Sequence, residues 1–248
     1  MTFLAEIFHN FLYRPLFNLL ILLYVIIPFK DFGITIIVLT ILIRFLLYPF
    51  AKKAIKAQRD FSKIQPKIKE IQKKYKDDKE KQAREIMSLY QKEKINPFAS
   101  FLPILVQMPI LIALYWVFWH GFEPKEMSLL YDFIPYPGEI NPSFLGIINL
   151  SHPNLFLALI AGFFQYYQAK TSLLKKKKSS SQNKPLKNKS DFSQILEKQM
   201  LYFFPFFTFL ILLRIPAVVG LYWSVSTLFT IVQQTILFKK EDEEKKYG

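Results

Sequence analysis

Long apolar runs separated by two strongly basic stretches set the pattern of this chain. Residues 33–50 read GITIIVLTILIRFLLYPF, and four further apolar stretches follow at 98–119, 150–169, 199–214 and 215–238. A helix needs ~20 apolar residues to cross ~30 Å of hydrocarbon. The pattern therefore predicts five transmembrane helices, of which 199–214 is short and is broken from the fifth at Arg214-Ile215-Pro216.

Between the first two stretches, residues 51–97 change character. Ala54, Ala57, Phe61, Ile64, Ile68, Ile71 and Tyr75 recur three and four apart, a heptad seam. Asp77 and Asp78 interrupt it, and Lys79 to Lys94 carries Ala83, Ile86 and Tyr90 on one side. Two helices with facing seams predict a water-exposed hairpin, kinked at Pro66, where a backbone donor is missing. Residues 120–149 hold Pro124, Pro135, Pro137 and Pro142 and read as a loop. Residues 170–198, with their core KKKKSSSQNKPLKNKS, read as a flexible solvated loop, and 239–248 as a tail. At the N-terminus, residues 1–32 predict an interfacial helix, because the apolar run from Leu16 to Phe29 is too short to cross and ends at Pro28. Arg14 stands far from the start and no small-x-small site follows, so the stretch is expected to be retained.

Composition agrees with the pattern: 52% hydrophobic and 17% aromatic residues with a mean hydropathy of +0.19 indicate an all-α polytopic membrane protein. The absence of cysteine excludes disulfides, thiolate metal sites and a lipidated N-terminal cysteine. The net charge of +14 matters through its distribution. Residues 51–97 carry fifteen Lys/Arg against seven Asp/Glu, and 170–198 nine against two, whereas 120–149 hold one against four. Positive loops stay cytoplasmic, which places the N-terminus and the acidic loop outside and the C-terminus inside.

Arg44 is the only ionised side chain in 33–50. An unpaired arginine in hydrocarbon costs from roughly 3 to roughly 15 kcal/mol, so it faces water or a partner. Thr40, Arg44 and Tyr48 recur every fourth residue and share one helix face. Two readings stand: a solvated pocket within the bilayer, or an arginine that snorkels toward Lys52 and Lys53. None of the five stretches contains Asp or Glu, so the pocket's counterion would be water, lipid phosphate or a guest. Gln107, Gln165, Trp223 and Ser226 offer hydrogen bonds without neutralising the charge. In the fifth stretch Trp223, Ser226, Thr230 and Gln233 or Gln234 fall on one face, although such hydroxyls also bond their own backbone. A cationic groove of this kind would attract an acidic segment of a guest chain. An enzyme is not expected: His9, His120 and His152 fall on outer segments, and no GxxxxGK[ST] loop or cofactor motif is present. Nor does the chain show the internal repeat of a transporter.

Four ordered motifs carry a resemblance. INPFASFLPILVQMPILIALYWVF, LIRFLLYPFAKK, QPKIKEIQKKYKDDKEK and GLYWSVSTLFTIVQQ, reaching from Leu42 to Gln234, resemble the YidC/Oxa family of membrane protein insertases. The resemblance implies a five-helix core around a hydrophilic groove, closed to the outside and open to cytoplasm and lipid. Arg44 matches the family's groove arginine, Thr40 a groove position one turn earlier, Gln165 the glutamine of the third helix, and Tyr222-Trp223 the aromatic pair that contacts substrate. Residues 52–95 match a mobile cytoplasmic hairpin needed for function. The implied partners are nascent membrane proteins, membrane lipids, the ribosome and the Sec translocon, with no small-molecule substrate. Relatives often end in a basic ribosome-binding tail, whereas residues 239–248 are charge-balanced. Lys175, Lys176, Lys177 and Lys178 are the candidate ribosome contact in its place, or else a run that fixes topology.

Overall fold

The computed structural model describes residues 3–96, 102–120, 123–180 and 199–247. It is mostly helical, as an all-α membrane protein requires. Helices α1 (Phe3–Phe8) and α2 (Arg14–Ile26) join through a π turn at His9–Tyr13 into one rod. Ala5–Ile26 is thereby long and apolar enough to cross a membrane, a length the apolar run alone does not reveal. Helix α3 (Phe32–Leu46) follows a tight corner, and α4 (Tyr48–Lys74) leaves it at a bend of 62°. The predicted first span therefore stops at the break before Tyr48-Pro49, because proline at the start of α4 lacks the donor that would continue α3.

Helix α4 runs through Pro66, and α5 (Lys79–Lys92) returns beside it. Asp78 starts α5 by accepting from the Lys81 amide at 2.9 Å. Ala54, Ile64 and Ile68 of the seam are buried, Phe61 stacks on Tyr90, and Gln82 donates to the Gln72 carbonyl. Helix α6 (Leu102–His120) packs on the N-terminal rod and on α4.

Helices α7 (Leu155–Ser180), α8 (Phe204–Leu212, preceded by a π turn at Gln199–Phe203) and α9 (Ala217–Tyr247) complete the bundle. Helix α9 packs along α7 and α3, and α7 along α8. Small residues allow that closeness: a Cβ on Gly162 would touch Phe209 and the Pro205 carbonyl, while Ala158 and Ala161 are fully buried. Two predicted boundaries move. Residues 170–180, read as loop, continue α7, since the leucines and lysines there are good helix formers and no proline intervenes before Pro185. The last helix likewise runs past 238 to Tyr247.

The segment between α6 and α7 is also more ordered than a plain loop. A 3-10 turn at Pro124–Leu129 leads to a short ladder of β1 (Ser143–Phe144) and β2 (Ile148–Asn149). This segment fastens onto the N-terminal rod along its length. Tyr13 donates to Glu126, buried Asn18 donates to the Leu129 carbonyl and accepts from the Tyr131 amide, and the Tyr24 hydroxyl accepts from the Asn141 amide. Asp31 caps α3 by accepting from Ile34 at 2.8 Å and holds the β turn by accepting from Leu145 at 2.6 Å. Gly33 has to be glycine, because any Cβ would collide with the Phe144 ring. The start of α9 docks at the same end: Ala217 and Val218 donate to the His152 and Leu150 carbonyls, partnering two of the donors a helix start leaves unpaired. One core results, running from Tyr13, Phe17, Leu20, Ile21 and Tyr24 through Ile36 and Leu114 to Leu221 and Tyr222.

Candidate functional site

The bundle has a loop end, where residues 123–150 and the starts of α3, α7 and α9 meet, and a hairpin end, where α3 passes into α4. Arg44 lies one turn before the hairpin end, half-buried against the bundle. Its charge is within electrostatic range of Tyr222 on α9. Among the described residues Arg44 makes no ion pair and no hydrogen bond. The Tyr222 hydroxyl in turn accepts from Gln107 of α6. Three helices far apart in sequence thus bring Arg44, Tyr222 and Gln107 into one cluster.

Helices α7 and α9 also carry polar atoms that the protein leaves unmatched. The Ser226 hydroxyl, the Gln165 carbonyl oxygen and the Gln233 amide nitrogen are buried and find no hydrogen-bond partner. Each such orphan costs about 1–3 kcal/mol. Tyr222, Ser226 and Gln233 share a face of α9 at spacings of four and seven, so the unmatched line starts one turn after Tyr222 and runs away from the loop end.

The other candidates are placed differently. Thr40 is fully buried, and its hydroxyl donates to the Ile36 carbonyl at 2.6 Å, as the backbone-bonding alternative describes. Thr230 likewise bonds the Ser226 carbonyl at 2.9 Å. Trp223 is half-buried and packs on the core cluster. Lys175, Lys176, Lys177 and Lys178 fall on the final turns of α7, and their side chains lie outside the described residues. Sequence reasoning named Gln107 and Tyr222 separately and left Gln233 and Gln234 as alternatives. Which of the two glutamines ends the unmatched line became visible only through burial and hydrogen bonding.

Comparison with known proteins places this geometry in a lineage. The family model described as 60Kd inner membrane protein matches residues 23–245, nearly the whole chain. The chain belongs to this family, the YidC/Oxa family. A relative from Fusobacterium nucleatum, named membrane protein insertase YidC, is 34% identical over 212 residues, 85% of this chain and 87% of the relative. Relatives of the same name from Actinobacillus pleuropneumoniae and Mannheimia succiniciproducens are 31% and 32% identical over 94% and 92% of this chain. Those two are longer proteins, of which the match covers 38% and 37%. The matched region takes in Arg44, Gln107, Gln165, Tyr222, Trp223 and Ser226, together with the α4–α5 hairpin.

Proposed function

We propose that this chain is a membrane protein insertase that holds an acidic part of a guest near Arg44 while the guest's apolar span passes into lipid. The observation that carries this reading is a cation without a carboxylate partner, set beside a tyrosine hydroxyl at the head of a line of unpaired buried polar groups. A structural arginine would be neutralised by the fold, since an unmatched charge or polar group in a low-dielectric site is costly. Here the deficit is left open for a guest or for water to fill. Arg44 supplies charge attraction, while Ser226, Gln165 and Gln233 supply donors and acceptors to a polar segment in transit. No nucleotide is required in this scheme, because burial of the guest's apolar span provides the driving force.

Five spans formed by α3, α6, α7, α8 with its π turn, and α9 fit this function. The loop end then faces outside, and the α4–α5 hairpin and the lysine-rich end of α7 face the cytoplasm, as the charge distribution demands. The N-terminal rod lies along the outer surface in this arrangement, in keeping with hydrogen bonds to the outer loop from Tyr13 to Asp31. The ribosome, the Sec translocon and surrounding lipid are the partners that supply guests and receive them.

Arg44→Ala and Arg44→Lys test the proposal in proteoliposomes with single-span guests whose translocated tails carry different numbers of acids. Arg44→Ala should lower insertion in proportion to tail acidity, and Arg44→Lys should restore most of it. Equal insertion by all three proteins for every guest would remove the charge from the mechanism.

A further inference from the structure

Helix α3 is fifteen residues long, and the chain bends away at Leu47. At about 1.5 Å per residue it rises about 22 Å, short of the ~30 Å of a typical hydrocarbon layer. If its lower end meets the cytoplasmic boundary, hydrocarbon extends beyond its outer end, past Phe32.

What stands just beyond Phe32 is unusual for a water-facing surface. Phe29 is 99% exposed, and its φ of 64° lies in the left-handed region, as does that of Lys30 at 47°. Leu145 is a further non-glycine with positive φ, 53°, and sits exposed in the β turn beside Ile147, which is 83% exposed. Left-handed backbone at such residues is strained and persists only where the surroundings impose it. Two ties impose it here. Asp31 binds the Leu145 amide, and Phe144 seats on Gly33, so the corner and the turn form one rigid piece. Lys30 donates to the Pro137 carbonyl at 3.3 Å, joining the neighbourhood of Phe133 and Tyr136, both also exposed.

We propose that this ridge, with Phe29 and the Leu145–Ile147 turn at its crest, is a lipid-binding surface that enters the outer leaflet and fills the gap left by the short α3. The crest side chains are pure hydrocarbon and gain nothing from a polar partner. Flanking aromatics such as Phe133 and Tyr136 suit the headgroup boundary. Burial of the crest's apolar area in lipid offsets the strain of the left-handed corner. The ridge also anchors the outer loop, and through Asp31 the start of the helix that carries Arg44.

The inference rests on α3 crossing the membrane, and the experiment separates the two. The chain has no cysteine, so Phe29→Cys, Ile147→Cys, Glu139→Cys and Leu42→Cys each give a single nitroxide site in vesicles of phosphatidylethanolamine and phosphatidylglycerol. Accessibility to oxygen relative to a water-soluble nickel chelate reports depth. Sites 29 and 147 should match Leu42 in favouring oxygen severalfold over Glu139. If 29 and 147 behave like Glu139 while Leu42 favours oxygen, the bilayer thins around α3 and the ridge proposal is overturned. If 29 and 147 are shielded from both reagents, a protein surface covers the ridge and the proposal is again overturned. A water-like reading at Leu42 as well would overturn the span itself.

Discussion

At the scale of single residues, the site is organised around what each polar group lacks. Among the described residues Arg44 lacks a carboxylate, the Ser226 hydroxyl and the Gln233 amide nitrogen lack a hydrogen-bond partner, and the Tyr222 hydroxyl accepts from Gln107 while remaining within range of Arg44. The Gln107 bond fixes the Tyr222 hydroxyl, so its effect on insertion should act through Tyr222. Gln107→Leu and Tyr222→Phe are each expected to slow insertion of an acidic-tailed guest by about fivefold, the equivalent of one hydrogen bond of ~1 kcal/mol. The double variant should be no slower than the slower single. Additive losses in that cycle would show that the two residues meet the guest independently. Thr40 illustrates the opposite case, since its hydroxyl is already engaged by Ile36.

At the scale of elements, the α4–α5 hairpin shows which contacts matter. Its stability comes from the seam, where Phe61 stacks on Tyr90 and Ile64 and Ile68 are buried, more than from its many charges. The ion pair of Lys67 with Glu93 is solvent-exposed, so screening leaves it little weight, although Lys67 holds the Glu93 carboxyl below the usual carboxylate range. Amide hydrogen exchange should therefore accelerate across 60–92 in Phe61→Ala and stay unchanged in Glu93→Gln. The reverse ranking would mean that charge pairing, and not the seam, holds the hairpin shut. The heptad spacing made this element legible in advance. The helix break at Tyr48-Pro49 also follows from the sequence, but the 62° bend does not. A proline marks where a helix must stop, while the direction taken afterwards depends on how α4 meets α6 and α7.

At the scale of the whole molecule, the two ends of the bundle are chemically distinct. The acidic loop is pinned to the N-terminal rod, and the basic hairpin projects from the other end. A membrane-impermeant maleimide applied to intact cells should label Glu139→Cys and spare Asp77→Cys until the membrane is opened. Labelling of Asp77→Cys from outside would invert the arrangement and place Arg44's open line on the wrong side.

The sequence by itself determined where the apolar stretches lie, the heptad seam of the hairpin, the charge asymmetry of the loops and the isolation of Arg44 from any acid in its own stretch, because periodicity and net charge are properties of local sequence. It did not reveal that Ala5–Ile26 forms a helix long enough to cross a membrane, since the apolar run there is short. It could not determine which polar groups would find partners. Thr40 and Ser226 are both small hydroxyl residues on apolar helices, yet one is engaged and the other is not, and only packing decides that. The left-handed Phe29 corner, the seating of Phe144 on Gly33 and the clasp of Gln107 on Tyr222 also belong to tertiary structure. Each joins residues distant in the chain, and the energy that holds them arises only when separate elements exclude solvent from the same place.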